Sequence, residues 1–225
     1  VMQNNFQSAL QMIKKIRELA SPKIFPTIGQ DYEHLYNEFA KICLLSEVED
    51  VICYKEFVKN GENSNVEKIR KKWDIHFSNL PMIPEIIHSH ICVRSLVLSV
   101  HEQRESFTKL ISSSLDKNLL ELSDNIIHYC IKNDNCIEYQ FLKCQYLWKI
   151  GKTSKAISKL SNIVNENNDE KFIYLLAKWY YTKGSLQQAR ESMELINSEN
   201  IEFCYQWATI NFSLYQSQKD IIYLK

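Results

Sequence analysis

The chain has 225 residues and a balanced charge, 27 basic against 27 acidic, so its composition draws it neither to nucleic acid nor to an anionic membrane. Only four glycines and four prolines are present, too few for a turn-rich sheet protein and suited to long helices. It shows no signal-peptide layout and no apolar run of membrane-spanning length, and its seven cysteines, odd in number and without C-x-x-C spacing, read as reduced, buried thiols of a cytosolic or nuclear protein.

Residues 4–20 predict an amphipathic helix with Phe6, Leu10, Ile13, Ile16 and Leu19 on one face. Ser21-Pro22 and Phe25-Pro26 are expected to break it. A second helix is expected from about Asp31 to Leu45. Ser46-x-x-Glu49 has the form of a capping box and predicts a third helix through Val48, Val51, Ile52 and Phe57. Its carboxylates Glu47, Glu49 and Asp50 are expected on an exposed face. Residues 60–65 read as a polar loop. In 66–79, Ile69, Trp73 and the pair His76-Phe77 are expected to form a core stripe, and Lys68, Arg70, Lys71 and Lys72 a solvated face rather than a nucleic-acid patch. Pro81 and Pro84 end that helix. Residues 85–98 are apolar with His88, His90 and Arg94 among them; His88-x-His90 is a poor metal pair, since side chains two apart on a helix diverge. Ser99-x-x-Glu102 is a second capping box, opening a helix to Ser114. Residues 118–132 supply its partner through Leu119, Leu122, Ile126, Ile127 and Cys130.

An internal repeat follows. Residues 141–163 and 174–196 align at a spacing of 33: Leu142 with Leu175, Tyr146 with Trp179, Trp148 with Tyr181, Gly151 with Gly184, Ala156 with Ala189, Ile163 with Ile196. Aromatics before a Gly, with a small residue five after it, are the pattern of a tetratricopeptide-type helical hairpin. Such a hairpin cannot bury its own apolar face and must stack on neighbours. A last helix begins near Ser198 and runs through Phe203, Trp207, Ile210, Asn211 and Leu214. Nine or ten helices and no strand are expected, giving an all-α fold: an α-solenoid of tetratricopeptide-like antiparallel helix pairs. From the apolar run Ile221–Leu224 just before Lys225, the chain is expected to be a fragment of a longer protein.

No phosphate-cradling glycine loop, nucleophile elbow or H-E-x-x-H occurs, and the Cys and His spacings assemble no zinc site. The reading assigns no catalytic, cofactor or metal residue and no enzymatic activity to this chain.

Three stretches resemble the FAT domain of the target-of-rapamycin (TOR) kinases, in the phosphatidylinositol-3-kinase-related kinase family. Leu45-Ser46-Glu47-Val48-Glu49-Asp50-Val51-Ile52-x-Tyr54-Lys55 resembles the family's L-S-E-L-E-E-V-I-x-Y-K. Ile69-Arg70-x-x-Trp73, followed by Val93-Arg94-Ser95-Leu96-Val97-x-Ser99-x-His101-Glu102, resembles I-R-x-x-W and V-R-S-L-V-x-S-P-H-E. Trp207-Ala208-x-x-Asn211-Phe212 resembles W-A-x-x-N-F. They occur in family order, and the similarity covers roughly residues 6–216. Val100 stands where the family often has Pro.

The resemblance implies that residues 1–225 are a fragment of a FAT domain, with the repeat pair at about 137–196 and the kinase domain absent. It implies a regulatory scaffold that clamps and restrains the kinase domain of a Ser/Thr protein kinase. The implied partners are that kinase domain and other TOR-complex subunits, with no nucleic acid and no membrane span. The implied place is the cytoplasm, with membranes approached only through complex partners. A family lysine of the inositol hexakisphosphate pocket falls on Lys109, with Lys143 and Lys149 as further candidate contacts; Glu105 reverses the charge of a second family cation, and the residues alone give an ordinary Lys109–Glu105 pair at i,i+4. Two other classes fit the residues: a free-standing tetratricopeptide adaptor binding a partner peptide, and a FAT segment of a DNA-damage or RNA-surveillance kinase.

Overall fold

A computed structural model describes residues 6–24, 32–196 and 201–218. Among them are eleven helices and no strand: α1 (Phe6–Ile24), α2 (Tyr32–Asn60), α3 (Asn63–Ser78), α4 (Pro84–Arg94), α5 (Arg104–Asp116), α6 (Leu120–Asn133), α7 (Ile137–Lys149), α8 (Thr153–Glu166), α9 (Glu170–Thr182), α10 (Leu186–Met193) and α11 (Ile201–Gln218). The fold class is all-α, as expected. The chain divides into two compact units, residues 1–119 and 120–225.

In the first unit α2 is the hub, packing against α1, α3 and α4, while α5 packs on α4. The expected break at Leu45-Ser46 does not occur: α2 is one helix of 29 residues. Both partners of the expected capping box are otherwise engaged. Ser46 Oγ donates back to the Ile42 carbonyl, the bond a hydroxyl makes inside a helix, and Glu49 accepts two hydrogen bonds from Arg17 of α1. α1 also runs past Pro22 to Ile24, and the expected second break at Phe25-Pro26 falls outside the described residues. The polar loop shrinks to Gly61-Glu62, because Asn63 already opens α3. The Ser99/Glu102 box does form. Ser99 N donates to Glu102 Oε2 at 2.9 Å and Glu102 N to Ser99 Oγ at 3.3 Å, although it closes the turn just before α5 rather than the first turn of the helix.

In the second unit each helix packs on the next in chain order from α6 to α11. The two expected hairpins are α7–α8 and α9–α10, and their turns are alike. Gly151 has φ +78° and Gly184 φ +77°, the left-handed conformation that glycine adopts without a Cβ clash. Lys152 N donates to Leu147 O, and Ser185 N to Tyr180 O, each spanning five residues. This is the bond that closes a helix ending in a left-handed residue. Glu62 N to Phe57 O after Gly61, and Leu119 N to Ser114 O after Asn118 (φ 59°), repeat it in the first unit.

Ala156 and Ala189 are fully buried, as close approach of the paired helices requires. Trp179 is buried, whereas Tyr146, Trp148, Leu175 and Trp207 are half-buried, less than expected. Trp148 and Trp179 lie face to face, 4.6 Å between centroids and 1° between planes. All seven cysteines are free; Cys130 and Cys144 are buried, but Cys92 and Cys204 are exposed, so burial does not hold for every thiol. The start expected near Ser198 and the run 221–224 fall outside the described residues.

Ala189→Trp is expected to lower stability by about 1–3 kcal/mol or more, because the indole has no room between α9 and α10. A urea melt of the variant checks it.

Candidate functional site

The polar groups of the first unit meet at Glu47. On α2, Glu47, Val51 and Tyr54 lie at i, i+4 and i+7, one buried stripe. On α4, Ile87, His90, Ile91 and Arg94 form another. Trp73 and His76 face them from α3. The expectation that Glu47 is exposed is wrong: its exposure is 1%, that of His90 1% and that of Arg94 3%. The signal was present in the sequence, since the apolar period of each helix passes through a charged residue. An isolated carboxylate at such a position is prohibitive, and the stripe alone does not name its partner.

Arg94 is that partner. Its Nη2 donates to Glu47 Oε1 and its Nε to Oε2 at 3.2 Å, a bidentate pair. Nη2 also donates to the Trp73 carbonyl at 3.1 Å. The guanidinium lies 5.5 Å from the Trp73 ring centroid and 5.3 Å from that of Phe77, within cation–π range. His76 Nδ1 stands 3.0 Å from Glu47 Oε1. His90 Nδ1 stands 2.9 Å from Oε2 but makes no well-aligned hydrogen bond. The two imidazoles meet edge to face at 5.4 Å. Burial by itself would raise the Glu47 pKa; His90 and Arg94 outweigh it and hold the carboxyl at about 2.

A second polar set runs beside the first. Arg70 of α3 donates to the Tyr54 hydroxyl at 2.7 Å and to Glu102 at 2.5 Å. Glu102 in turn closes the Ser99 turn, and the bonds from Ser99 and Arg70 hold its carboxyl below the usual range. Tyr54 stacks on Trp73 at 5.6 Å. Lys68, Lys71 and Lys72 are exposed, Lys72 pairing with Asp50, as expected of a solvated face; Arg70, expected on the same face, is half-buried because Tyr54 and Glu102 draw its guanidinium inward.

Glu47, His76 and His90 turn their ligand atoms to within 4.8 Å of one another, the kind of donor set that suits zinc. Arg94 argues against that use. It already takes both Glu47 oxygens and supplies the balancing charge, so a divalent cation would sit against a guanidinium with one carboxylate between them. The arrangement is a buried ion pair with two imidazoles around it. His88 and Cys92 form the other His/Cys contact, 3.5 Å apart on the exposed side of α4. Burial pushes the Cys92 thiol up, away from the thiolate a nucleophile needs.

Lys109 Nζ donates to the carbonyls of Phe77 and Leu80, at 2.9 and 3.2 Å, and lies over the Phe77 ring. It thus caps the C-terminal end of α3, where carbonyls lack partners and a cation is favoured, rather than standing as a freely exposed partner of Glu105. In the second unit Lys143 donates to Asp124 and lies over Tyr146, while Lys149 is exposed in the last turn of α7.

Glu47 and Arg94 lie in two of the stretches quoted above, and Tyr54, Arg70 and Glu102 join the same stretches. The structure therefore brings the FAT-like segments of the first unit onto one polar lock. The family model for the FAT domain matches residues 1–214. This chain belongs to the FAT-domain family. Relatives of this FAT chain include serine/threonine-protein kinase tor1 of Schizosaccharomyces pombe, 24% identical over 80% of the chain and 8% of the relative. Serine/threonine-protein kinase TOR2 of Saccharomyces cerevisiae is 24% identical over 72% of the chain and 7% of the relative. Serine/threonine-protein kinase mTor of Drosophila melanogaster is 21% identical over 99% of the chain and 10% of the relative. The chain thus spans a tenth or less of the length of these relatives, and it is the FAT part of a TOR-like kinase that it resembles.

Arg94→Met is expected to destabilise the FAT segment by about 3–5 kcal/mol, since it strands a buried carboxylate; Glu47→Leu with Arg94→Met is expected to recover most of that loss. Chemical denaturation of the natural chain and the two variants checks it. The pH dependence has a definite sign. Glu47 is held below its unfolded value of about 4.3, so its contribution is fully present above that pH and is lost as pH falls toward about 2. The stability gap between the natural chain and Glu47→Gln should narrow over that window in an acid titration followed by circular dichroism.

Proposed function

We propose that this FAT chain is a regulatory scaffold segment of a TOR-like Ser/Thr protein kinase, which clamps and restrains the kinase domain of its parent. The observation that carries the reading is the polar lock. The segments by which the chain resembles the FAT domain of TOR kinases are spent on holding helices together, and no described residue stands in a nucleophile–base or phosphate-cradling arrangement. Residues used in this way transmit position rather than perform chemistry. A stack of helices fixed at one buried ion pair is stiff there, and stiffness is what a clamp needs. The family relationship supplies the kinase context. No helix among the described residues is long and apolar enough to cross a membrane, which suits a segment that acts through protein contacts.

The test is made in the parent kinase. Arg94→Lys keeps the charge but loses the planar fork that grips Glu47. It is expected to loosen the clamp, raising kcat on a protein substrate while the KM for ATP stays unchanged. A parent kinase with unaltered kcat, in which proteolysis nonetheless shows the FAT segment to be loosened, would overturn the restraining role. Phosphorylation of substrate by residues 1–225 alone would overturn the scaffold reading.

A further inference from the structure

While one face of α4 turns His90 and Arg94 inward to Glu47, the other carries a second pair. His88 and Cys92 lie at i and i+4, one turn apart, and both are exposed. Cys92 Sγ stands 3.5 Å from His88 Nε2 and 4.0 Å from Nδ1. The sequence alone sets His88 beside His90, two positions on, and that pair diverges. The partner that the helix gives His88 is Cys92.

The separation fits a metal ion. Tetrahedral zinc holds a thiolate sulfur at about 2.3 Å and an imidazole nitrogen at about 2.0–2.1 Å, which at the tetrahedral angle sets the two ligand atoms about 3.5 Å apart. Sγ and Nε2 already stand at that separation. The charges nearby differ from those at Glu47, where a guanidinium takes both oxygens. The one Arg or Lys of α4, Arg94, is turned inward to that carboxylate. Glu85, one turn before His88, is acidic and exposed. The raised Cys92 thiol is no obstacle to a ligand, because a metal ion displaces the proton of the thiol that coordinates it.

We propose that His88 and Cys92 form an exchangeable surface site for zinc, with water in the remaining positions. One thiolate sulfur and one imidazole nitrogen suit this ion, whereas magnesium and calcium take oxygen ligands. Binding replaces the S–H bond of Cys92 by a sulfur–zinc bond and releases the proton to solvent; no electron is transferred. Two protein ligands, against the four of a structural zinc site, leave the ion open to removal by a chelator. The inference is independent of the regulatory role proposed above.

Thiol alkylation of the 225-residue chain, read cysteine by cysteine by mass spectrometry, tests it with zinc as the probe. Zinc is expected to slow the modification of Cys92 several-fold and to leave Cys204, which is also exposed, unchanged; a chelator should restore the rate. In His88→Ala, a change on the exposed face, zinc should no longer protect Cys92. A second readout does not depend on that variant: zinc should release about one proton fewer per chain from Cys92→Ser than from the natural chain. Unchanged protection in His88→Ala would overturn the site, since the thiol alone would then hold the ion. Equal slowing at Cys204 would overturn it as non-specific thiol binding. Absence of any zinc effect at Cys92 would also overturn it and reduce the contact to a thiol–imidazole hydrogen bond.

Discussion

A carboxylate with 1% of its surface exposed cannot remain charged without a countercharge, and the first unit is built around that constraint. Glu47 comes from α2 and Arg94 from α4, and the carbonyl that takes a further hydrogen bond from Arg94 Nη2 belongs to Trp73 of α3. Three helices are therefore tied at one point by bonds that demand direction as well as distance. Apolar packing alone tolerates small shifts of one helix along another; a bidentate ion pair does not. Burying such a pair adds little net stability compared with an apolar core, so its value here lies in fixing register. The aromatic rings near Arg94 serve the same end, since Trp73 and Phe77, one turn apart on α3, can both face the guanidinium only in one rotation of that helix.

The second unit solves its packing differently. It has no comparable buried ion pair among the described residues, and each helix gains its cover from the next. Here the constraint is geometric. A glycine in the left-handed conformation reverses the chain, a buried alanine five residues later lets the helices close, and flat rings stack across hairpins. The sequence repeats every 33 residues, but the rings that touch between α7 and α9 are 31 apart: Phe141 with Phe172 and Trp148 with Trp179. The repeat relates equivalent positions, and contact relates the leading face of one helix to the trailing face of the next. The two periods differ because those faces are different residues of the same helix.

Under the scaffold role proposed above, each unit is suited to holding its own helices in place. Motifs of this specificity often mark chemistry. In this FAT chain they mark a joint, in which Ser99, Glu102, Arg70 and Tyr54 continue the tie begun at Glu47 and Arg94. Lys109 illustrates the same economy, its ammonium turned inward to the carbonyls of Phe77, in the last turn of α3, and Leu80, just beyond it.

The sequence by itself determined the helical class, the FAT resemblance, the hairpin pair with its glycine turns, and the core stripe Ile69, Trp73 and Phe77. The class, the hairpins and the stripe follow from short-range regularities, the 3.6-residue period, the glycine turn and the recurrence of a hairpin, whereas the FAT resemblance rests on the three motif stretches themselves. Tertiary structure decided which polar residues are buried and which local signals are overruled. Ser46-x-x-Glu49 carries the letters of a helix start, yet Arg17 of another helix claims both side chains and α2 runs on unbroken. Glu47 sits on an apolar stripe and was read as exposed, because a charge on a stripe is tolerable only with a partner, and the partner lies 47 residues away. Local propensity is written in neighbouring residues; the countercharge that permits burial is supplied by a distant one, and only folding brings the two together.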